Sequence, residues 1–197
     1  MENLSPGVWH EIFREAAHAT TVVRMAVFLY FFGKLNTLFK TGEVIEPEGD
    51  TNVEVLHWLW DLHNEFNVED LSWTEMEEMY LQKQPCNVFC TDDGSNSVII
   101  KYGPGIWKVI HIEAGSVGSV YETAIFVEHM YDRVKQFPCG VCKGHFEEYI
   151  AENPPEDAEQ TNEGLLYWTF LFHNAVNERL GKGPGDWEEI KRWFIVP

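Results

Sequence analysis

The chain has 197 residues, 45% of them hydrophobic and 14% aromatic, which is enough for one or two small packed domains. Acidic residues number 32 against 14 basic ones, a formal net charge of -18. Such a surface repels nucleic acid and anionic lipid, which excludes both as expected partners, and it attracts basic protein surfaces. Met1-Glu2-Asn3-Leu4-Ser5 has neither the basic region nor the apolar core of a signal peptide, so a cytoplasmic setting is expected. Pro6-Gly7-Val8-Trp9 opens the first helical stretch. The apolar run from Val22 to Phe32 holds Arg24 and is too short to span a bilayer, so it reads as a buried helix. Trp58 to Asn67 and Ser72 to Met76 follow. Gly94-Ser95-Asn96-Ser97 marks a turn, and Val98 to Lys101 is a short stretch with strand character. Ala124 to Lys135 has helical spacing with its apolar residues on one side. After it, Phe146 to Ile150 reads as a helix ended by Asn153-Pro154-Pro155. Leu165 to Leu180 is a helix ended by Gly181, and Trp187 to Phe194 is the last helix. No sustained alternation indicates a sheet, so the expected class is all-α.

An internal repeat runs through these elements. Pro6-Gly7-Val8-Trp9 returns as Pro104-Gly105-Ile106-Trp107, and Gly33 and Phe39 match Gly140 and Phe146. Trp58, His63, Asn64 and Asn67 return as Trp168, His173, Asn174 and Asn177, and Trp73 returns as Trp187. The matches keep their order, with offsets growing only from 98 to 114. The expected organisation is one module over residues 1–80, a linker over 81–102, and a second, longer copy over 103–197.

The four cysteines fall as two close pairs, Cys86 with Cys90 in the linker and Cys139 with Cys142 in the second copy. Cys139-Gly140-Val141-Cys142 precedes a helix, and a helix N-terminus favours a thiolate. By spacing alone this CxxC is either a redox disulfide or half of a zinc site that Cys86 and Cys90 complete. The linker pair is either an electron shuttle or a structural staple. The two copies differ. At the places of the CxxC the first copy has Phe32 and Leu35, and it has Phe13 where the second has His111. Trp107 and His111 share a helix face, as do His173 and Asn177. Converging near a dithiol, these rings and amides suit a flat heteroaromatic ligand. The persistence of His63, Asn64 and Asn67 in the first copy leaves a structural role open for part of that set, and Trp168 reads as core.

The second copy resembles the Erv/ALR family of FAD-linked sulfhydryl oxidases. The resemblance rests on Gly103-Pro104-Gly105-Ile106-Trp107 with His111, and on Pro138-Cys139-Gly140-Val141-Cys142 with Phe146. It continues through Asn153-Pro154, Trp168, His173-Asn174-Ala175-Val176-Asn177 through Lys182, and Lys191-Arg192-Trp193. A diverged copy beside a working one also resembles the quiescin-type oxidases, and large DNA viruses often encode members of the family. The resemblance implies four-helix bundles with a short fifth helix, in tandem as a pseudo-dimer, the second copy holding FAD. It implies Cys142 against the isoalloxazine and Cys139 as its exposed partner. Gly103, Trp107, His111, Phe146, His173, Asn174, Val176, Asn177, Lys182, Lys191 and Arg192 are then cofactor contacts. Trp187 takes the place of an aromatic residue the family has after its Gly-Lys turn. The family's cysteine near that turn has no counterpart in Gly183-Pro184-Gly185-Asp186-Trp187. The implied reaction forms disulfides in thiol-containing protein substrates and reduces molecular oxygen to hydrogen peroxide, in the cytoplasm or a virion. Further homodimerisation stays open. Two other readings also stay open: an assembly protein that keeps the fold, and a zinc-binding module.

Overall fold

The computed structural model describes residues 4–39, 45–67, 70–81, 98–136 and 140–195. Cys86, Cys90 and Cys139 lie outside them, as does the turn at Gly94–Ser97. Every regular element among the described residues is helical, so the protein is all-α, built as helical bundles. None of the described helices is long and apolar enough to cross a membrane.

The chain divides into two compact units, Met1–Val109 and Ile110–Pro197. The first unit opens with α1, Pro6–His18. Pro6 stands at its first position, where a missing N–H costs nothing. Helix α2, Val22–Phe39, carries Phe28, Phe31, Phe32 and Leu35 into the core. Helix α3, Asn52–Phe66, starts with a capping box in which Thr51 accepts from the Glu54 N–H and Glu54 accepts from the Thr51 N–H. The short α4, Trp73–Met76, has the same device in Ser72 and Glu75. It runs on as a π-helical turn, Glu77–Leu81, that buries Tyr80. Helix α5, Val98–Ser116, contributes residues up to Val109 to this unit.

Helix α1 packs against α3 and the π turn. Trp9 and Phe13 are fully buried between them. The Trp9 ring lies 4.9 Å from His63, and Phe13 stacks on Tyr80 at 5.1 Å. His63 Nε2 and the Tyr80 hydroxyl are hydrogen-bonded at 3.3 Å. His10 is buried and stacks on Tyr102 at 4.7 Å, and its Nδ1 has no hydrogen-bond partner among the described residues. The N-terminal turn of α1 crosses α5 at a pair of glycines. A Cβ on Gly105 would stand 2.3 Å from the Gly7 carbonyl carbon, and one on Gly7 would stand 2.3 Å from the Tyr102 carbonyl oxygen. Only hydrogen fits at that crossing.

The second unit takes the end of α5 and four more helices. Helix α6 is Val120–Gln136, α7 is Gly140–Glu152, α8 is Asn162–Arg179 and α9 is Trp187–Phe194, with a 3-10 turn at Pro155–Asp157. Thr161 caps α8 through the Gly164 N–H at 3.0 Å, and Asp186 caps α9 through the Glu189 N–H at 3.0 Å. Gly181, at φ +67°, turns the chain out of α8 in the left-handed region that glycine enters without strain. Within this core Arg133 of α6 donates to Glu113 of α5 at 2.7 Å, both side chains fully buried.

Two expectations change. Val98–Lys101 is not a strand but the first turn of α5. The helical cost of valine and isoleucine is a few tenths of a kcal/mol, and residues down to Ser116 propagate the hydrogen-bonded ladder. Pro104 accordingly lies inside a helix, where Pro6 begins one. Gly33 lies within the unbroken α2, whereas its sequence match Gly140 begins α7.

The two kinds of glycine predict opposite outcomes in urea unfolding. Gly105→Ala is expected to lose about 2–3 kcal/mol, because its Cβ meets backbone that cannot yield. Gly33→Ala, with nothing within 4 Å of its Cβ, is expected to gain about 0.5–1 kcal/mol from helix propensity. Equal effects at the two positions would contradict the crossing.

Candidate active site

Helix α7 begins between the two cysteines of the CxxC, which puts Cys142 in its first turn, half-buried. Phe146 follows one turn later on the same face. It meets Phe172 of α8 edge-on, with ring centroids at 4.3 Å, and Tyr149 stacks on Phe172 at 4.2 Å. These rings dock α7 on α8 and hold the Cys142 side of α7 toward that seam. Trp168 packs into the same aromatic group and donates its indole N–H to the Asn153 carbonyl at 2.9 Å, the structural role its sequence context suggested.

Deeper along α8 lies a polar chain. The Thr169 hydroxyl is 2.8 Å from the Leu166 carbonyl oxygen, and His111 Nδ1 is 2.8 Å from the same hydroxyl. His111 Nε2 is then 3.1 Å from His173 Nδ1. Thr169 and His111 are buried, and His173 is half-buried. Burial holds both imidazoles neutral. His111 falls to about 3, by desolvation and then by the neighbouring His173. His173 falls to about 4, by desolvation and then by the Lys182 charge. Phe194, from the end of α9, lies against His111 with centroids at 5.3 Å. Gly115 permits that approach, because a Cβ there would strike the Phe194 carbonyl oxygen.

Past His173, Asn174 Oδ1 accepts from the Gly185 N–H at 2.8 Å, and the Asn177 carbonyl accepts from the Lys182 N–H at 2.8 Å. Together they fold the segment after α8 back along it. Val176 and Asn177 are half-buried, and Lys182 is exposed. His111, Phe146, His173, Asn174, Val176, Asn177 and Lys182 are therefore positioned by the α5–α7–α8 part of this unit. The remaining sequence candidates make other contacts. Trp187 packs on Tyr167 and Phe170, at 4.9 and 5.4 Å, and lines an open cleft of about 1040 Å³ on another face of α8. Lys191 pairs with Glu163 near the start of α8, and Arg192 is exposed. Gly103 and Trp107 are half-buried on the part of α5 that belongs to the first unit.

Comparison with known proteins gives this geometry a name. A relative from African swine fever virus, a FAD-linked sulfhydryl oxidase, is 30% identical over 102 residues, covering 49% of this chain and 82% of the relative. The profile of the Erv1/Alr family matches residues 104–194. The chain belongs to the Erv1/Alr family. The mitochondrial FAD-linked sulfhydryl oxidase ERV1 of Saccharomyces cerevisiae is 32% identical over 103 residues, covering 46% of this chain and 49% of the yeast protein. The donor set fits the flavin dinucleotide of such relatives. Two neutral imidazoles and two carboxamides offer hydrogen bonds to heteroaromatic rings. Phe146 offers an apolar face, and Lys182 a cation for phosphate. Sequence reasoning missed Thr169, Phe172 and Phe194. Thr169 alone had a signal: a hydroxyl among aromatic residues, one helical turn before His173.

The histidines set a pH dependence. His10 falls to about 4 by burial, and burial also lowers His63. Unfolded, each protonates near 6.5; folded, each stays neutral until a lower pH. From pH 6.5 down to about 4 the unfolded chain therefore binds more protons, and stability falls as pH falls. Glu54 and Glu75, lowered by their capping hydrogen bonds, add losses only below their ordinary value of 4.5. The melting temperature is thus expected to drop between pH 7 and pH 5. His10→Phe, which keeps a ring on Tyr102, should shrink that drop. A flat profile would contradict the buried neutral histidines.

Proposed function

We propose that residues 103–197 form an FAD-dependent thiol oxidase domain that makes disulfides in protein substrates, with oxygen as the final acceptor. The observation that carries this is the placement of Cys142. It is a half-buried sulfur in the first turn of α7, one turn before the Phe146 that docks on α8, in the unit that holds the His111–His173 pair.

In this reading Cys139 and Cys142 cycle between disulfide and dithiol. A substrate thiolate attacks the Cys139 sulfur, forming a mixed disulfide and releasing the Cys142 thiolate. The open N–H groups of the first turn of α7 stabilise that anion. A second substrate thiol attacks the mixed disulfide, which releases the substrate disulfide and leaves Cys139 reduced. FAD held at this site would supply the two-electron acceptor for the pair, with oxygen as the final acceptor and hydrogen peroxide as the product. His173, Asn174 and Asn177 would hold and orient its polar edges, Lys182 would meet its phosphates, and Phe146 would keep water from one side. His111 extends the ring-binding face on the end of α5. Cys86 and Cys90 pass electrons inward from protein substrates.

Residues 1–80 are, in the same proposal, a diverged copy of the module that binds no flavin. Matched positions make matched contacts. Asn64 Oδ1 accepts from the Leu71 N–H as Asn174 Oδ1 accepts from the Gly185 N–H. The caps Thr51 and Ser72 correspond to Thr161 and Asp186. Phe13, His63 and Tyr80 meet as His111, His173 and Phe194 do. The hydroxyl and ring of Tyr80 close the space beside His63.

The purified protein is expected to show a flavin absorption spectrum and dithiol-dependent oxygen consumption, and a colourless, folded protein would overturn the proposal. Cys142→Ser should abolish turnover with FAD still bound; surviving turnover would exclude Cys142 as the residue that reduces the flavin. Cys86→Ser should spare oxidation of a small dithiol and slow oxidation of a protein substrate. Undiminished rates on both would reduce the linker pair to a staple.

A further inference from the structure

We infer that Thr169 is a positioning residue that fixes the tautomers of His111 and His173, so that His173 Nε2 carries a lone pair and accepts from whatever ligand group meets it. The inference deepens the proposed flavin site and takes its ligand from that reading.

The argument follows one proton along the chain. The Thr169 hydroxyl has a single hydrogen. Its oxygen lies 2.8 Å from the Leu166 carbonyl oxygen, and two oxygens approach that closely only with a proton between them. Thr169 therefore donates to Leu166, a bond back to the preceding turn, and has only lone pairs left for His111. His111 Nδ1, 2.8 Å away, must be the N–H that donates to Thr169. A neutral imidazole has one N–H, so His111 Nε2 is bare. His173 Nδ1, 3.1 Å from it, must then carry the proton. The second nitrogen of His173, Nε2, is left as an acceptor. Burial of both rings keeps them in the neutral form that the argument needs.

The consequence is a selection among ligand groups. An exocyclic amine, an imide N–H or a ribityl or ribose hydroxyl is matched by that lone pair; a carbonyl or phosphate oxygen is not. A valine at 169 would have the shape of threonine without its oxygen. His111 Nδ1–H would then be buried without its acceptor, and the tautomers of both rings would be released.

The test reads tautomers directly in the flavin-free protein. Long-range ¹H–¹⁵N correlation spectra at pH 7, assigned with His111→Asn and His173→Asn, are expected to show Nδ1–H on both rings. An Nε2–H form on either ring would overturn the inference. In Thr169→Val the His111 and His173 signals should move toward mixed tautomers. The Kd for FAD, measured by titrating the apoprotein, should rise about tenfold, the effect of one lost buried hydrogen bond. Thr169→Ser should keep wild-type tautomers and affinity. Unchanged tautomers and Kd in Thr169→Val would refute the role of Thr169. Should that variant fail to fold, the wild-type spectrum decides alone. A wild-type protein that binds no FAD yet shows both Nδ1–H signals would instead sink the oxidase reading and leave the tautomer assignment standing.

Discussion

Two buried polar links two residues apart fix helix α5 in the second unit. His111 reaches Thr169 of α8 and Glu113 reaches Arg133 of α6. In a core made largely of phenylalanine, tryptophan and aliphatic side chains, an unmatched polar group costs about 1–3 kcal/mol, and an unmatched charge more. Rotating α5 by one residue turns it about 100° and would break both links at once. The apolar core alone would tolerate several rotations of so evenly greasy a helix; the polar pair tolerates one. That rotation decides that His111 faces His173, and that Gly115 faces the incoming end of α9.

The aromatic seam between α7 and α8 does a different job. Phe146, Tyr149 and Phe172 interlock with no polar requirement, so the seam gives area and rigidity rather than register. Its value lies in what it carries: Cys142 sits one turn from Phe146 and inherits its position. The segment after α8 is held by hydrogen bonds. Asn174 clamps Gly185, the Lys182 N–H closes on the Asn177 carbonyl, and Asp186 starts α9. A carboxamide clamp and a capping aspartate thereby hold Gly183–Trp187, a stretch with no cysteine.

Helix ends were legible in the sequence because their chemistry is local. Asn153-Pro154-Pro155 and Gly181, read as helix ends, act within a few residues of themselves. The faces of α8 were legible because histidine and asparagine recur at helical spacing. What escaped were features made by partners distant in the chain. Val98–Lys101 has the residues of a strand, and only its continuity with α5 makes it helical. The Gly7–Gly105 crossing brings together two turns 98 residues apart, and no local pattern announces a close approach. Thr169 looked like one hydroxyl in an apolar run until His111 was found 2.8 Å from it. Trp187 reads as an aromatic pocket wall, and its contacts with Tyr167 and Phe170 come from α8, which no local pattern around Trp187 announces.

On the proposed repeat, the divergence of the two copies follows from the same need for partners. A histidine drawn into the core on α3 of the first copy or α8 of the second needs something to bond to. In the second unit His173 bonds to His111, and the residue from the last helix, Phe194, is purely apolar. In the first unit the position of His111 is Phe13, which offers His63 nothing. The residue from the last helix is there a tyrosine, and its hydroxyl meets His63 at 3.3 Å. The phenylalanine at one position and the tyrosine at the other are thus a single coupled exchange. In each copy the histidine bonds to a side chain from another helix, and from a different one in each. The two solutions differ in what they leave beside that histidine: a second imidazole, backed by Thr169, in one copy, and a stacked tyrosine in the other. In the proposed function it is the first of these that the heteroaromatic ligand meets.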